Sequence, residues 1–327
     1  MPNYSDLERE YNSLMWPQLN DFFSNNKSND QNFINSRVAE IQRDCINSIR
    51  VKYLEKLASY TNRNVIVYYS TWLQCSNLNS PNPELMINDN DMNGFMNAVY
   101  KLDKNKGLDL IIHTPGGVTT ATEALVNYLR KCFKDIRVIV PHMAMSAGTM
   151  IACAANTIIM GKQSSLGPVD PQYRNVPAEG VLDEFNRAIE ETSKNPQKAL
   201  MWREIISQYR PTFIGECANA VELSKKLIEN WLKTGMFARS KNRDIITLKI
   251  VDELTSHSSS KMHDKHYDCC SCKKMGLKII EMESDQELQD AILAVHHSYV
   301  LSSYVIPNSI KYIENNNGQS FIISGKR

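Results

Sequence analysis

Two short runs in this chain carry residue types that can do covalent chemistry. The first, His113-Thr114-Pro115-Gly116-Gly117, follows the apolar run Leu108 to Ile112. Paired glycines after a buried strand let the backbone take positive φ and bring a ligand close to bare N–H groups. The second, Met143-Ala144-Met145-Ser146-Ala147-Gly148-Thr149, places one hydroxyl between small residues where an Ala-rich helix begins. Taken singly, these are a tight turn and a helix N-cap. Taken together, they describe a nucleophile beside backbone donors that can hold an oxyanion, as acyl transfer requires.

The surrounding pattern supplies elements to position both turns. Val65 to Tyr69 reads as a buried strand, and Asp91 as the cap of a helix carrying Met92, Phe95, Met96 and Val99. Leu108 to Ile112 is a second strand. Thr120 and Glu123 then form a capping box for a helix with Ala121, Leu125, Leu129 and Cys132 inward, before a third strand at Ile136 to Val140. Strands alternating with helices predict an α/β fold with parallel pairing, whose ligand sites gather at C-terminal strand ends, where both turns lie. Ser76 to Asp91 is a long connection of the kind that borders a site. Upstream, a short helix and an Asn/Ser-rich loop from Ser24 to Ser36 precede an amphipathic helix over Val38 to Ser59. Beyond Gly161 the pattern is mostly helical, with stripes at Leu223, Leu227 and Trp231, and at Leu288, Ile292, Val295 and Tyr299. Ser284 and Glu287 read as the capping box of the last stripe.

Composition narrows the function classes. The 327 residues hold 37 basic and 36 acidic side chains, for a net charge of +1, which gives no general attraction to nucleic acid or acidic lipid. A chain of this length needs no disulfide staples. The eight cysteines are irregularly spaced, and the start MPNYSDLEREYN is polar and acidic, so reduced thiols and a cytoplasmic location are expected. Val138 to Gly161 lacks Asp, Glu, Lys and Arg, yet it divides into a strand, a turn and a helix, so no membrane span is expected.

HTPGG, then MAMSAGTM and AANTIIMGKQSSLGPVDPQ, resembles the serine dehydrogenase proteinase family, which stands with signal peptide peptidase A and the Clp protease subunit. The likeness runs from about Val65 to Gln172 and resumes at His266 to Leu277. It implies a Clp/crotonase-like spiral of ββα units with added N- and C-terminal helices. The expected division is an N-terminal helical extension over 1–60, a catalytic core over 61–215 and a mostly helical part over 216–327. The resemblance also implies a serine endopeptidase acting on polypeptides, with Ser146 as nucleophile and the N–H groups of Gly116 and Ala147 as oxyanion donors, assisted by Gly117. Clp subunits take their base from a histidine after the serine helix, but Ser164 to Gln172 contains none. Signal peptide peptidases use a lysine further on, and Lys194 and Lys198 lie 48 and 52 residues after Ser146. Lys198 is the expected base of a Ser/Lys dyad because the apolar run Ala199 to Trp202 follows it, whereas Lys194 lies among carboxylates. A homo-oligomer is expected from the family and from the surplus of helical stripes.

The remaining constellations suggest less. His257, His263 and His266 precede Cys269, Cys270 and Cys272 at spacings that match no zinc pattern. If Tyr267 to Leu277 is a helix, as the resemblance implies, neighbouring cysteines diverge by about 100°. No metal and no cofactor is expected, and Asp170, in Leu166 to Gln172, reads either as a group that orients a catalytic side chain or as a common Asp-Pro turn. Other classes are an inactive Clp-like scaffold or regulatory subunit, and a crotonase-type acyl-CoA enzyme, against which the serine at the helix start argues. A nucleotide-driven protease would need a separate unfoldase partner, because the chain has no Walker A sequence.

Overall fold

Continuous apolar runs become the inner strands of a seven-stranded sheet in this computed structural model, which describes residues 3–75, 82–173, 176–255 and 265–325. Strands β1 (Asn64–Ser70), β2 (Leu108–His113) and β3 (Ile136–Val140) lie side by side and parallel, as the sequence pattern predicts. All seven residues of β1 and all six of β2 are buried. This is the signature of strands covered on both faces.

Alternation then sorts the core into two halves. Ile66, Tyr68, Leu110, Ile112, Val138 and Val140 face one side. There the sheet meets α3 (Asp91–Val99), α4 (Thr119–Cys132), α5 (Ala147–Cys153), α8 (Phe213–Thr234), α9 (Arg243–Thr255) and α10 (Cys269–Met275). Val65, Val67, Tyr69 and Ile111 face the other side, against α1 (Tyr4–Asn25), α2 (Gln31–Thr61) and α11 (Gln286–Val305). α6 (Ala178–Lys194) packs on the start of α8 around a small separate core of Ala178, Val181, Phe213, Cys217 and Val221, and α7 (Ala199–Ile206) follows it.

Parallel strands β5 (Thr157–Met160) and β10 (Ile279–Glu281) extend one edge of the sheet. At the other edge, β11 (Ser309–Asn315) pairs antiparallel with β1, and β12 (Ser320–Ser324) pairs antiparallel with β11. Beside the main sheet lie three two-residue strands, β4 (Met143–Ala144), β6 (Ser165–Leu166) and β9 (Tyr267–Asp268), and a small hairpin of β7 (Gln172–Tyr173) and β8 (Val176–Pro177). This mostly parallel sheet between helical layers is the Clp/crotonase-like architecture expected from the sequence.

Several boundaries differ from the sequence reading. The first helix is long, because Asn3 and Asp6 form a reciprocal capping box, and only five residues separate it from α2. Asp91 does not cap α3; it is buried inside the first turn. α4 starts after Val118 without a side-chain cap, and Asp285 rather than Ser284 caps α11 by accepting from the Leu288 N–H at 3.1 Å.

Candidate active site

β2 and β3 both end at the same edge of the sheet, and their turns are tied together. The Thr114 N–H donates to the Met143 carbonyl at 3.1 Å, and the Met145 N–H returns a bond to the Thr114 carbonyl at 3.0 Å. Ser146 follows immediately as the N-cap of α5, at φ 48° and ψ −108°. This conformation costs a residue with a Cβ of order 1–3 kcal/mol and persists only where neighbours enforce it. The Thr149 hydroxyl is one such neighbour, its single proton shared between the carbonyls of Gly167 at 2.8 Å and Ala144 at 3.0 Å while its oxygen accepts from the Gly167 N–H at 3.0 Å. It locks α5 to β4 and to the chain leaving β6. Thr149 sits in the Ser146 run, yet its role needs the partner carbonyls to be visible.

The Gly-Gly turn packs directly on the serine. Gly116 takes φ 110°, and a Cβ there would stand 2.9 Å from the Ser146 Cβ and 3.3 Å from the Ala147 nitrogen. Gly117 presses on Ile87 so closely that a Cβ would fall 2.3 Å from its carbonyl oxygen and 2.4 Å from its nitrogen. Two hydrogen bonds hold this approach: Ile87 N–H to the Gly116 carbonyl at 2.8 Å, and Val118 N–H to the Ile87 carbonyl at 2.9 Å. The donors sort themselves accordingly. The Gly116 N–H, expected to serve an oxyanion, already donates to the Thr114 hydroxyl at 3.1 Å. Among the described residues, the N–H groups of Gly117 and Ala147 have no acceptor.

A cleft of about 470 Å³ opens over Ser146 and Gly117, walled by Met86, Val118, Met150, Val169 and Leu223. The side chain of Ser224 lies deep in this wall, 1 % exposed. No histidine, lysine or carboxylate is among the described residues lining the cleft.

Lys198 is not brought to Ser146 within the chain. α6 starts beside the cleft, where the Ala178 N–H bonds the Pro171 carbonyl, and its 17 residues span roughly 25 Å at 1.5 Å per residue. At the far end the exposed Lys198 ammonium binds Glu191 at 3.2 Å. Hydrogen bonds from Arg187, Lys198 and Trp202 hold the Glu191 carboxyl down at about 2. Lys194 is also exposed, 3.9 Å from Glu190. Asp170 is buried beside the cleft wall.

A histidine cluster escaped sequence reasoning, since its members are 29 and 154 residues apart. The rings of His113, His142 and His296 form a triangle with centroids 5.6, 5.8 and 5.9 Å apart. Tyr69 bonds His296 Nδ1 at 3.0 Å and packs against His113, placing the cluster on the α11 side of the sheet, opposite α5. Burial, with His142 adding to it, pushes His113 down to about 3, although the nearby Met143 carbonyl favours its charged form. Neither ring nitrogen of His113 has a partner within hydrogen-bonding geometry among the described residues. Burial lowers His142 and His296 as well.

The Cys/His run, at which no metal was expected, is described only in part. His257 and His263 lie outside the described residues. His266 faces the Ser165 hydroxyl at 3.0 Å, Cys272 is buried with its thiol towards the Tyr267 carbonyl, and Cys270 is exposed on α10. Among the described residues no group of three His, Cys, Asp or Glu side chains is arranged to hold a metal ion, and no helix is long and apolar enough to cross a membrane.

Comparison with known proteins agrees with this geometry. A family model described as ClpP-like SDH-type serine proteinase matches residues 36–280, three quarters of the chain. Two proteins of Methanocaldococcus jannaschii are similar. Uncharacterized protein MJ0137 is 37% identical over 143 residues, covering 44% of this chain and 50% of the relative. Uncharacterized protein MJ1495 is 41% identical over 103 residues, covering 32% and 35%. The chain thus spans half or less of the length of these relatives.

Proposed function

The chain belongs to the ClpP-like SDH-type serine proteinase family, and we propose that it hydrolyses peptide bonds through an acyl-enzyme on Ser146. The observation that carries this reading is the strained Ser146 held against a Gly-Gly turn, with two unspent N–H groups beside it. The Ser146 hydroxyl attacks the scissile carbonyl carbon while a base takes its proton. The N–H groups of Gly117 and Ala147 receive the oxyanion, Gly116 serving to bring the two turns together. Collapse of the tetrahedral species expels the amine with that proton, and water then releases the acyl group. The apolar wall of the cleft favours an aliphatic side chain next to the scissile bond.

The base in this reading is Lys198 supplied by a neighbouring copy. Lys198 stands at the junction of α6 and α7, with the exposed side chains of Ile189, Leu200 and Met201 on these two helices, which suit burial against a second subunit. Docking there would separate Lys198 from Glu191 and desolvate it, as a neutral amine requires. The test is subunit complementation on an unfolded polypeptide such as reduced casein. Ser146→Ala and Lys198→Ala are each inactive alone, and mixing them in equal amounts after reversible dissociation restores about a quarter of the wild-type rate, by statistical pairing of intact sites. Full activity of Lys198→Ala alone refutes the dyad.

A second reading, an inactive scaffold, is favoured by the lack of a basic side chain along the described cleft wall. It predicts no turnover under any of these conditions.

A further inference from the structure

We propose that Lys311, on the C-terminal strand β11, is a positioning residue for the oxyanion turn. The proposal rests on the peptidase reading above. It concerns a strand that lies past residue 280, where the family match ends.

Lys311 and Asp91 are both completely buried, with the ammonium 2.7 Å from Asp91 Oδ1. Burying such a pair is expensive, and apolar residues of similar volume commonly stabilise as well or better. Stability alone therefore gives a weak reason for a lysine here. What the pair does hold is the Met86–Asn88 segment. The Lys311 ammonium also donates to the Met86 carbonyl at 2.8 Å, and Asp91 Oδ2 accepts from the Asn88 N–H at 3.1 Å. Between these two anchors sits Ile87, whose N–H and carbonyl grip Gly116 and Val118 on either side of Gly117.

The same carboxylate is fixed from the sheet side, since Asp91 Oδ2 also accepts from the Tyr68 hydroxyl at 2.9 Å. The route therefore begins at one buried ion pair and ends on the two residues flanking the Gly117 N–H. Met86 also forms part of the cleft wall, so a shift of this segment alters the floor that a substrate meets. The ion pair at the head of this route and Ile87 at its end are completely buried, where a lost partner costs most.

β11 carries an internal control. Its Glu314 pairs with Arg50 at 2.9 Å, on the opposite face of the strand, and the bonds of that pair lead to Ser302, Asn47, Tyr299 and Ser320 rather than to either turn. The experiment compares Lys311→Met/Asp91→Asn, which leaves no orphaned charge, with Arg50→Met/Glu314→Gln. Two quantities are read well below each variant's Tm. One is the rate of Ser146 modification by an alkyl fluorophosphonate, and the other is amide hydrogen exchange at Ile87 and Val118. The expected result is labelling about 10- to 100-fold slower in the Lys311/Asp91 variant, with faster exchange at both amides. The Arg50/Glu314 variant should change neither, whatever it does to Tm. Wild-type labelling in the Lys311/Asp91 variant, or equal slowing in both variants, overturns the proposal. If the wild-type protein takes no label, the peptidase reading has failed. Unchanged exchange at Ile87 and Val118 then overturns the clamp, and faster exchange upholds it.

Discussion

Replacing Ser146 by glycine should make the protein more stable while removing its nucleophile. At φ 48° and ψ −108° a residue with a Cβ carries about 1–3 kcal/mol of backbone strain, whereas glycine reaches this region freely. Against that gain stands the greater freedom of glycine in the unfolded chain, about 0.5–1 kcal/mol. The net expectation is a stabilisation of about 0.5–2 kcal/mol. In a chain of this size that amounts to a rise in Tm of roughly 1–4 °C. Ser146→Ala is the control, because alanine deletes the hydroxyl and keeps the strain. Urea titrations of the wild type and both variants at pH 7.5, with a common m-value, measure the difference directly. Ser146→Gly no more stable than Ser146→Ala would mean that the serine is not strained, and the enforced nucleophile geometry would lose its basis.

Two further perturbations follow from the site and the sheet. Gly117→Ala drives a Cβ into the Ile87 backbone and displaces the proposed oxyanion donor, so serine labelling should fall by about 10² or more in a folded protein; an unchanged rate removes Gly117 from the site. His113 sits at about 3 in the folded state but near its ordinary 6.5 when unfolded, so between these values the unfolded chain binds more protons and stability falls as pH drops. From pH 7 to pH 5 this one group costs about 2 kcal/mol, with His142 and His296 steepening the loss. Urea melts should show the decline, and His113→Phe should recover about 2 kcal/mol of it; identical pH slopes in the two proteins would contradict the burial of a neutral ring.

The inner strands were legible because residues buried on both faces leave unbroken apolar runs, as in Val65 to Tyr69 and Leu108 to Ile112. The two turns were legible because glycine pairs and a serine among small residues report backbone needs locally. β11 was not, since its sequence SIKYIEN contains Lys311 and Glu314, which read as solvent-facing until Asp91 and Arg50 are seen to neutralise them. Helix starts shifted for a similar reason. The Gly117–Ile87 clamp decides where α4 begins, which overrides the Thr120/Glu123 pattern. That the Gly116 N–H is engaged by the Thr114 hydroxyl, which bears on the proposed choice of oxyanion donor, was invisible to spacing. The surroundings of Lys198 could not be read either, because counting 52 residues says nothing about the 17-residue helix α6 on the way or the Glu191 carboxylate that binds the ammonium.

The central claim is that Ser146 is an activated acyl-accepting nucleophile. The most direct test is the intact mass of the wild type and of Ser146→Ala after exposure to a fluorophosphonate at pH 8. The account predicts one added phosphonyl group per wild-type chain and none on Ser146→Ala, with peptide mapping placing the adduct on the segment that contains Ser146. No adduct on the wild type, or an adduct that persists on the Ser146→Ala protein, would contradict it.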